Sequence, residues 1–145
     1  MEIRTATHKD LAELATLDEN HDFPWGKQNI KNSFLPPRNT LCLIDDGQVI
    51  GFVSYQQAGG QLDILHVAIA RELQKRGYGR RLLNHLLTDD SLADGTEVFL
   101  EVRVSNLAAI RLYHSLGFNE IGIRKNYYRD ANQSEDAIQM VLTIT

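Results

Sequence analysis

The sequence predicts an α+β domain spanning residues 1–145, built on a mixed, mostly antiparallel sheet. Two observations carry this. Strand-like runs follow one another as hairpins, joined at Asp46-Gly47 and Gly59-Gly60. Helical stretches interrupt them only a few times, too seldom for a purely parallel sheet. A chain of 145 residues, 43% hydrophobic and 23% charged, has the length and composition of one ordinary domain.

Taken in order, Ile3 to Thr5 reads as a first strand. Thr7 can cap a helix from His8 to about Asn20, with Asp10 near its positive end and Leu11, Leu14, Ala15 and Asp18 marking one side. Phe23-Pro24-Trp25-Gly26 breaks that pattern and opens a shorter helix around Lys27 to Ser33, which Pro36-Pro37 ends. Thr40 to Asp45 and Gln48 to Ala58 form a hairpin, and Leu62 to Ile69 is the next strand. Gln74-Lys75-Arg76-Gly77-Tyr78-Gly79-Arg80-Arg81 then leads into a helix with Leu82, Leu83, Leu86 and Leu87 as its apolar stripe. Glu97 to Val102 reads as a buried strand. Ser105 can cap the following helix, which carries Ala109, Ile110, Tyr113 and Leu116 on or near one face. Gly117 stands where a left-handed helix end needs glycine. Phe118 to Ile123 and Ala137 to Ile144 are the closing strands, with a polar loop, Asp130 to Asp136, between them.

Composition excludes several classes. A net charge of −4 disfavours a general nucleic-acid binder. No apolar run approaches the roughly 18 residues that span a bilayer. Met1-Glu2-Ile3-Arg4 leads into a folded pattern without an apolar signal core. The single cysteine, Cys42, lies in the strand-like run Leu41-Cys42-Leu43-Ile44 and reads as a buried structural thiol, not a nucleophile. These features point to a cytoplasmic protein with no membrane or nucleic-acid partner, expected to be a monomer. The five histidines have no metal-ligand spacing, so no metal is expected.

The central chemical feature is strand, glycine-bearing loop, helix. A helix N-terminus presents unpaired N–H groups and about half a positive charge. Gly77 and Gly79 allow close approach to the backbone, and Lys75, Arg76, Arg80 and Arg81 add charge. The segment therefore suits a pyrophosphate, though a tight turn with a solvated basic face would read the same way. It lacks the Gly-Lys-Ser/Thr ending of an ATP loop and the third glycine of a dinucleotide fingerprint.

Gln74-x-x-Gly77-x-Gly79, after the strand Leu65-His66-Val67-Ala68-Ile69, resembles motif A of the GNAT superfamily of N-acetyltransferases. Asn106-x-x-Ala109-x-x-Leu112-Tyr113-x-x-x-Gly117-Phe118 is similar to that superfamily's motif B. Phe23-Pro24-Trp25, Leu100-Glu101-Val102-Arg103, Ser105-Asn106, Ser115-Leu116-Gly117-Phe118, Arg124-Lys125-Asn126-Tyr127-Tyr128 and Glu135-Asp136-Ala137 extend the likeness over nearly the whole chain. They resemble the bacterial branch that acetylates the N-terminal alanine of a small-subunit ribosomal protein. Arg129 departs from the proline expected after the paired tyrosines, and the segment before Pro37 matches poorly, which puts acceptor choice in question.

The resemblance implies the GNAT fold, with helices on both faces of the sheet and a splayed parallel strand pair. It implies acetyl-CoA as cosubstrate and direct attack by an acceptor amine in a ternary complex. Backbone groups of Val67, Ala68 and Ile69 would pair with the pantetheine arm as an added strand. Gln74 belongs to the same motif. The amides of Arg76, Gly77, Tyr78, Gly79, Arg80 and Arg81 would hold the pyrophosphate, and Asn106 would touch the cofactor near the pantetheine.

Glu101 is the candidate general base. It interrupts the apolar run Val98-Phe99-Leu100-Glu101-Val102, where a carboxylate is costly unless satisfied and burial favours its protonated form. The alternative is a structural salt bridge with Arg103 or another base. Tyr113 is the candidate general acid toward the leaving thiolate, the alternative being a tyrosine packed in the core. Phe23, Trp25, Tyr127 and Tyr128 are the candidate acceptor mouth, with Trp25 equally readable as a core anchor. His66 reads as structural, with proton transfer as its other use.

An α-amine, with a pKa near 8, is easier to deprotonate than a lysine by about 3 kcal/mol, which favours a protein N-terminus as acceptor. A small amine or lysine acceptor, and a non-catalytic acyl-CoA sensor, are the competing functions. The presence of both Glu101 and Tyr113 argues against the sensor.

Overall fold

A computed structural model describes residues 1–129 and 133–145. Seven strands, β1 (Glu2–Thr5), β2 (Arg38–Asp45), β3 (Gln48–Ala58), β4 (Gln61–Ile69), β5 (Glu97–Arg103), β6 (Asn119–Arg129) and β7 (Ser134–Thr143), lie in one sheet in the order β1-β2-β3-β4-β5-β7-β6. Every neighbouring pair is antiparallel except β4 with β5, which is parallel. The helices are α1 (Leu11–Glu19), α2 (Lys27–Asn32), α3 (Tyr78–Leu87) and α4 (Leu107–Ser115).

Alternation along the strands divides the core in two. Leu43, Val53, Leu62, Val98, Leu100 and Met140 pack with Leu82, Leu83 and Leu86 of α3 and Tyr113 of α4. Cys42, Phe52 and Ala68 point the other way and meet Leu14 and Leu17 of α1 and Ile30 of α2. The sheet therefore carries helices on both faces, as expected. Each fully buried leucine here contributes on the order of 2 kcal/mol of transfer free energy.

Two irregularities of β4 position the site. Tyr55 pairs with Ile64 and Ser54 with His66, so Leu65 is an extra residue, a bulge. The bulge inverts the alternation. Leu62 and Ile64 face the α3 core before it, whereas Ala68 faces the α1 core after it. His66, two residues before Ala68, turns to the α1 side as well. The second irregularity is splay: β4 pairs with β5 only at Gln61–Asp63 against Glu97–Phe99, and beyond that the two strands separate.

Some local expectations needed correction. The first helix opens as a 3-10 turn, His8–Asp10, in which Thr7 and Asp10 form a capping box; α1 itself begins at Leu11. The cap of α4 is Asn106, not Ser105: its side-chain oxygen accepts from the Ala109 amide at 3.3 Å. Gly117 does take a positive φ, 101°. β6 runs well past Ile123 to Arg129, through a register shift between Arg124 and Tyr128. Asn126 has φ 55° there, and its amide is held by Asp136 at 2.9 Å. Ser134, Glu135 and Asp136 of the expected polar loop belong to β7, and residues 130–132 lie outside the described residues.

Asp10 fastens the start of α1 to β1. It accepts both Arg4 guanidinium nitrogens at 2.9 Å and the Thr7 amide at 2.8 Å. The Arg4 bond above all holds its carboxyl down at about 2. A depressed folded-state pKa gives stability that is present above the unfolded value, near 4, and is lost as pH falls through the folded one. Asp10→Ala is expected to lower stability by about 1–2 kcal/mol at neutral pH. Urea midpoints for mutant and parent should converge as pH drops toward about 2.

Candidate active site

The loop before α3 builds an anion cradle from backbone. Lys75 and Gly77 have φ of 64° and 86°, and Gly77 is the helix N-cap with no side chain completing it. A helix leaves its first amides without intrahelical partners, here those of Tyr78, Gly79 and Arg80. The Arg81 amide, expected to join them, instead donates to the Gly77 carbonyl at 3.0 Å. Space around Gly77 is open, as a ligand site requires, but Gly79 serves packing. A Cβ there would lie 3.3 Å from Leu112 and 3.9 Å from Ile69, so its absence lets α3 approach α4 and the sheet. Gln74 ties the loop to β4 by donating to the Ile69 carbonyl at 3.1 Å. Of the four basic side chains, Arg80 is engaged by Ser115 at 2.5 Å and Arg81 by the Met1 sulfur at 3.3 Å, while Lys75 and Arg76 are exposed.

The splay opens a cleft of about 880 Å³. Ile64, Leu65, His66 and Val67 line it from β4, and Phe99, Glu101 and Arg103 from β5. Asn106 and Tyr113 close its α4 end. Phe23, Pro24 and Trp25 rim one side, Tyr127 and Tyr128 the other. The fit to a pantetheine arm rests on β4: its other edge is spent on β3, with Val67 opposite Val53, Ala68 opposite Phe52 and Ile69 opposite Gly51. The edge toward β5 is left without a ladder partner from Ile64 onward.

Glu101 sits opposite Gln139 in the β5–β7 ladder, on the sheet face away from Val98, Leu100 and Val102. Its Oε1 meets Arg124 Nε at 3.2 Å, and its Oε2 is buried without a hydrogen-bond partner. The alternative expected for Glu101, a salt bridge with Arg103 or another base, is met in its second form, with Arg124 as the partner. Arg103 binds Glu135 at 3.2 Å, and its guanidinium lies over the rings of Tyr128 at 4.4 Å and Phe23 at 5.6 Å. Arg103 thus bridges the two rims of the mouth. Glu101 pushes the Tyr127 phenol up, and burial adds to it. Burial, with Glu101 adding to it, pushes Tyr128 well above the usual phenol range.

Tyr113 is buried and packs edge-on against Phe118 at 5.8 Å. Burial alone pushes its hydroxyl up to about 12. Trp25 is half-buried: its ring stacks on His66 at 5.3 Å while it rims the cleft. Cys42 is fully buried, and desolvation raises its thiol to about 12, which leaves it inert.

The cleft thus gathers Glu101, Tyr113, Asn106, Val67, Phe23, Trp25, Tyr127 and Tyr128. Ala68, Ile69 and the Gln74–Arg81 loop lie outside its lining. Sequence reading missed the pairing of Arg124 with Glu101, the bridging of Arg103, and Asp18. The last had a signal, since a carboxylate sits on the apolar side of α1. Among the described residues no group of His, Cys, Asp or Glu is placed to hold a metal, and no helix is long and apolar enough to cross a membrane.

The acetyltransferase (GNAT) family profile matches residues 5–118. The chain belongs to this family and is an N-acetyltransferase. The family's acetyl donor is acetyl-CoA. Among individual proteins, the chain is 39% identical to the ribosomal protein bS18-alanine N-acetyltransferase of Salmonella typhimurium, over 86% of this chain and 84% of that one. It is 34% identical to the N-alpha-acetyltransferase RimI of Mycobacterium tuberculosis, over 88% and 84%. The crystal structure of the Escherichia coli ribosomal-protein-alanine N-acetyltransferase superposes with a TM-score of 0.88 at 34% identity, covering 99% of this chain and 94% of that one.

Gly77→Ala tests the cradle without filling it. The positive φ costs a Cβ-bearing residue about 1 kcal/mol, and nothing nearby clashes. The expected outcome is a several-fold weaker affinity for coenzyme A by calorimetry with little change in thermal midpoint. Unchanged affinity would remove the loop from phosphate binding.

Proposed function

We propose that this protein acetylates a protein N-terminal α-amine, that of an alanine on a small-subunit ribosomal protein, with acetyl-CoA as donor and by direct attack within a ternary complex. The observation that carries this is the buried, unpartnered Oε2 of Glu101 in the cleft opened by β4–β5 splay. An orphaned carboxylate oxygen costs free energy unless a donor arrives, and an ammonium group is such a donor. The names of the relatives at 34–39% identity support the same reading.

Each residue then has a part. Val67, Ala68 and Ile69 offer backbone groups to the pantetheine, and the amides of Tyr78, Gly79 and Arg80 hold the pyrophosphate. Phe23, Trp25, Tyr127 and Tyr128 narrow the mouth around an extended chain end. Glu101 takes a proton from the amine while Arg124 holds its other oxygen in place. Tyr113 stabilises the departing thiolate by hydrogen bonding. With its phenol near 12, complete proton transfer to a thiol of pKa about 8.5 would be uphill by roughly 5 kcal/mol, so the bond is shared.

Thiol release from acetyl-CoA with two peptides tests the acceptor class. One carries a free N-terminal alanine and no lysine, the other a blocked N-terminus and one lysine. Turnover of the first is expected to be faster, and turnover of the lysine peptide alone would overturn the proposal. Glu101→Gln should lower kcat about 100-fold or more and alter its pH dependence. Tyr113→Phe should lower kcat at least about tenfold while leaving acetyl-CoA affinity intact. A variant that keeps the parent rate loses its assigned part.

A further inference from the structure

Besides Glu101, the cleft contains a second carboxylate-linked proton acceptor. Asp18 of α1 is 2% exposed, and its Oδ1 meets His66 Nε2 at 3.0 Å. Oδ1 also accepts the Trp25 amide at 2.8 Å, and Oδ2 the Gly26 amide at 2.9 Å. Burial raises the Asp18 carboxyl, but the His66 bond and these two amides outweigh it and hold it below its usual range. Asp18 is therefore ionised at neutral pH and can only accept. His66 Nε2 must donate to it, which leaves Nδ1 of the neutral ring as an acceptor. Among the described residues Nδ1 has no hydrogen-bond partner. The ring is clamped by Trp25 at 5.3 Å and Phe52 at 5.7 Å, and it lines the same cleft as Glu101.

The tether alone does not require an imidazole. The two loop amides already fasten Asp18 to the Trp25 turn, and an apolar ring between Phe52 and Trp25 would pack as well. The β4 bulge, moreover, turns His66 to the side of the sheet that Glu101 occupies on β5. The two residues flank the gap between the splayed strands.

We propose that Asp18 and His66 form a second proton-accepting pair, with His66 contacting the acceptor amine opposite Glu101 and Asp18 acting as its positioning residue. This rests on the α-amine reading above. A protonated α-amine has three N–H bonds and the amide product has one, so two protons leave the nitrogen in each turnover. As the N–C bond forms and the C–S bond breaks, one proton ends on the thiolate and the other reaches solvent. Glu101 takes the first from nitrogen and returns it, through solvent in the cleft, to the departing sulfur, and His66 Nδ1 takes the second and releases it to water at the mouth.

The groups facing His66 are few. From α1 comes Asp18. His21, at 6.0 Å between ring centroids, is pushed below its ordinary value by burial and then by His66, and its Nδ1 accepts the Phe23 amide at 3.0 Å. From β3, Ser54 lies opposite it in the ladder and Phe52 packs against its ring, and Asp63 lies on β4 itself. Across the cleft, β5 presents Glu101 and Arg103, and β6 presents Arg124, Tyr127 and Tyr128. Arg124 is paired with Glu101 and Arg103 with Glu135.

The test is kcat against pH at saturating N-terminal-alanine peptide and acetyl-CoA, where the free amine's own titration drops out. His66→Phe keeps a ring between Trp25 and Phe52. It is expected to lower kcat at least about tenfold and to change the acid limb of the kcat profile, with acetyl-CoA affinity unchanged by calorimetry. Asp18→Asn keeps the imidazole but removes the carboxylate that orients it, and should move that limb. A parental rate and profile in His66→Phe overturns the pair. Should His66→Phe fail to fold, an unmoved limb in Asp18→Asn overturns it just as well. Failure of the α-amine reading shows differently, as parent enzyme that ignores the alanine peptide but acetylates the lysine peptide or neither.

Discussion

The separation of β4 from β5 after three paired residues is the constraint on which the remaining structure depends. A parallel pair that stayed zipped would bury both backbones and leave no gap. Splay alone would expose a row of unmet amides and carbonyls, a costly arrangement unless a ligand or water meets them. The protein limits that cost by bracketing the opening. The ladder at Gln61–Asp63 closes one end, and α4, capped by Asn106, closes the other. The Leu65 bulge belongs to the same device, because it bends β4 and turns His66 to the α1 side of the sheet.

Around this gap the carboxylates differ in how far their oxygens are satisfied. Glu101 spends one oxygen on Arg124 and leaves the other bare. Asp18 spends both oxygens on backbone and hands its remaining influence to His66. Glu135 is fully occupied by Arg103 and the Ser105 amide. Only the first of these carries an unmet oxygen into the cleft. Arg103 then links Glu135 to the aromatic rims, so the mouth's width depends on β5, β7 and the α1–α2 loop together.

Much of this was legible in the sequence because the relevant physics is local. The Asp46-Gly47 turn, the leucine stripe of α3 and the positive φ at Gly117 each follow from near neighbours. Elements that depend on distant partners were misjudged. β6 continues past Ile123 because Asp136, across the hairpin, holds the Asn126 amide, and no property of Arg124 to Tyr128 announces that bond. The capping choice between Ser105 and Asn106 turned on geometry, since Glu135 claims the Ser105 amide from thirty residues away. Gly79 shows the same limit. Its proximity to Leu112 is a tertiary fact, so the sequence suggested ligand approach where the structure shows helix packing.

The burial that shapes the site also decides how protons can move through it. Tyr113 lies in the core with its phenol near 12, and so it holds its proton more firmly than an exposed tyrosine would. It is a good hydrogen-bond donor to a thiolate and a poor source of a free proton. In the mechanism proposed above, the protons leaving the amine are therefore collected by Glu101 and His66 and not drawn from the α4 side. Two proposed acceptors and one reluctant donor would give the reaction a direction: bond making would begin with deprotonation of the amine, and thiolate departure would be assisted by a hydrogen bond that shortens as charge develops on sulfur.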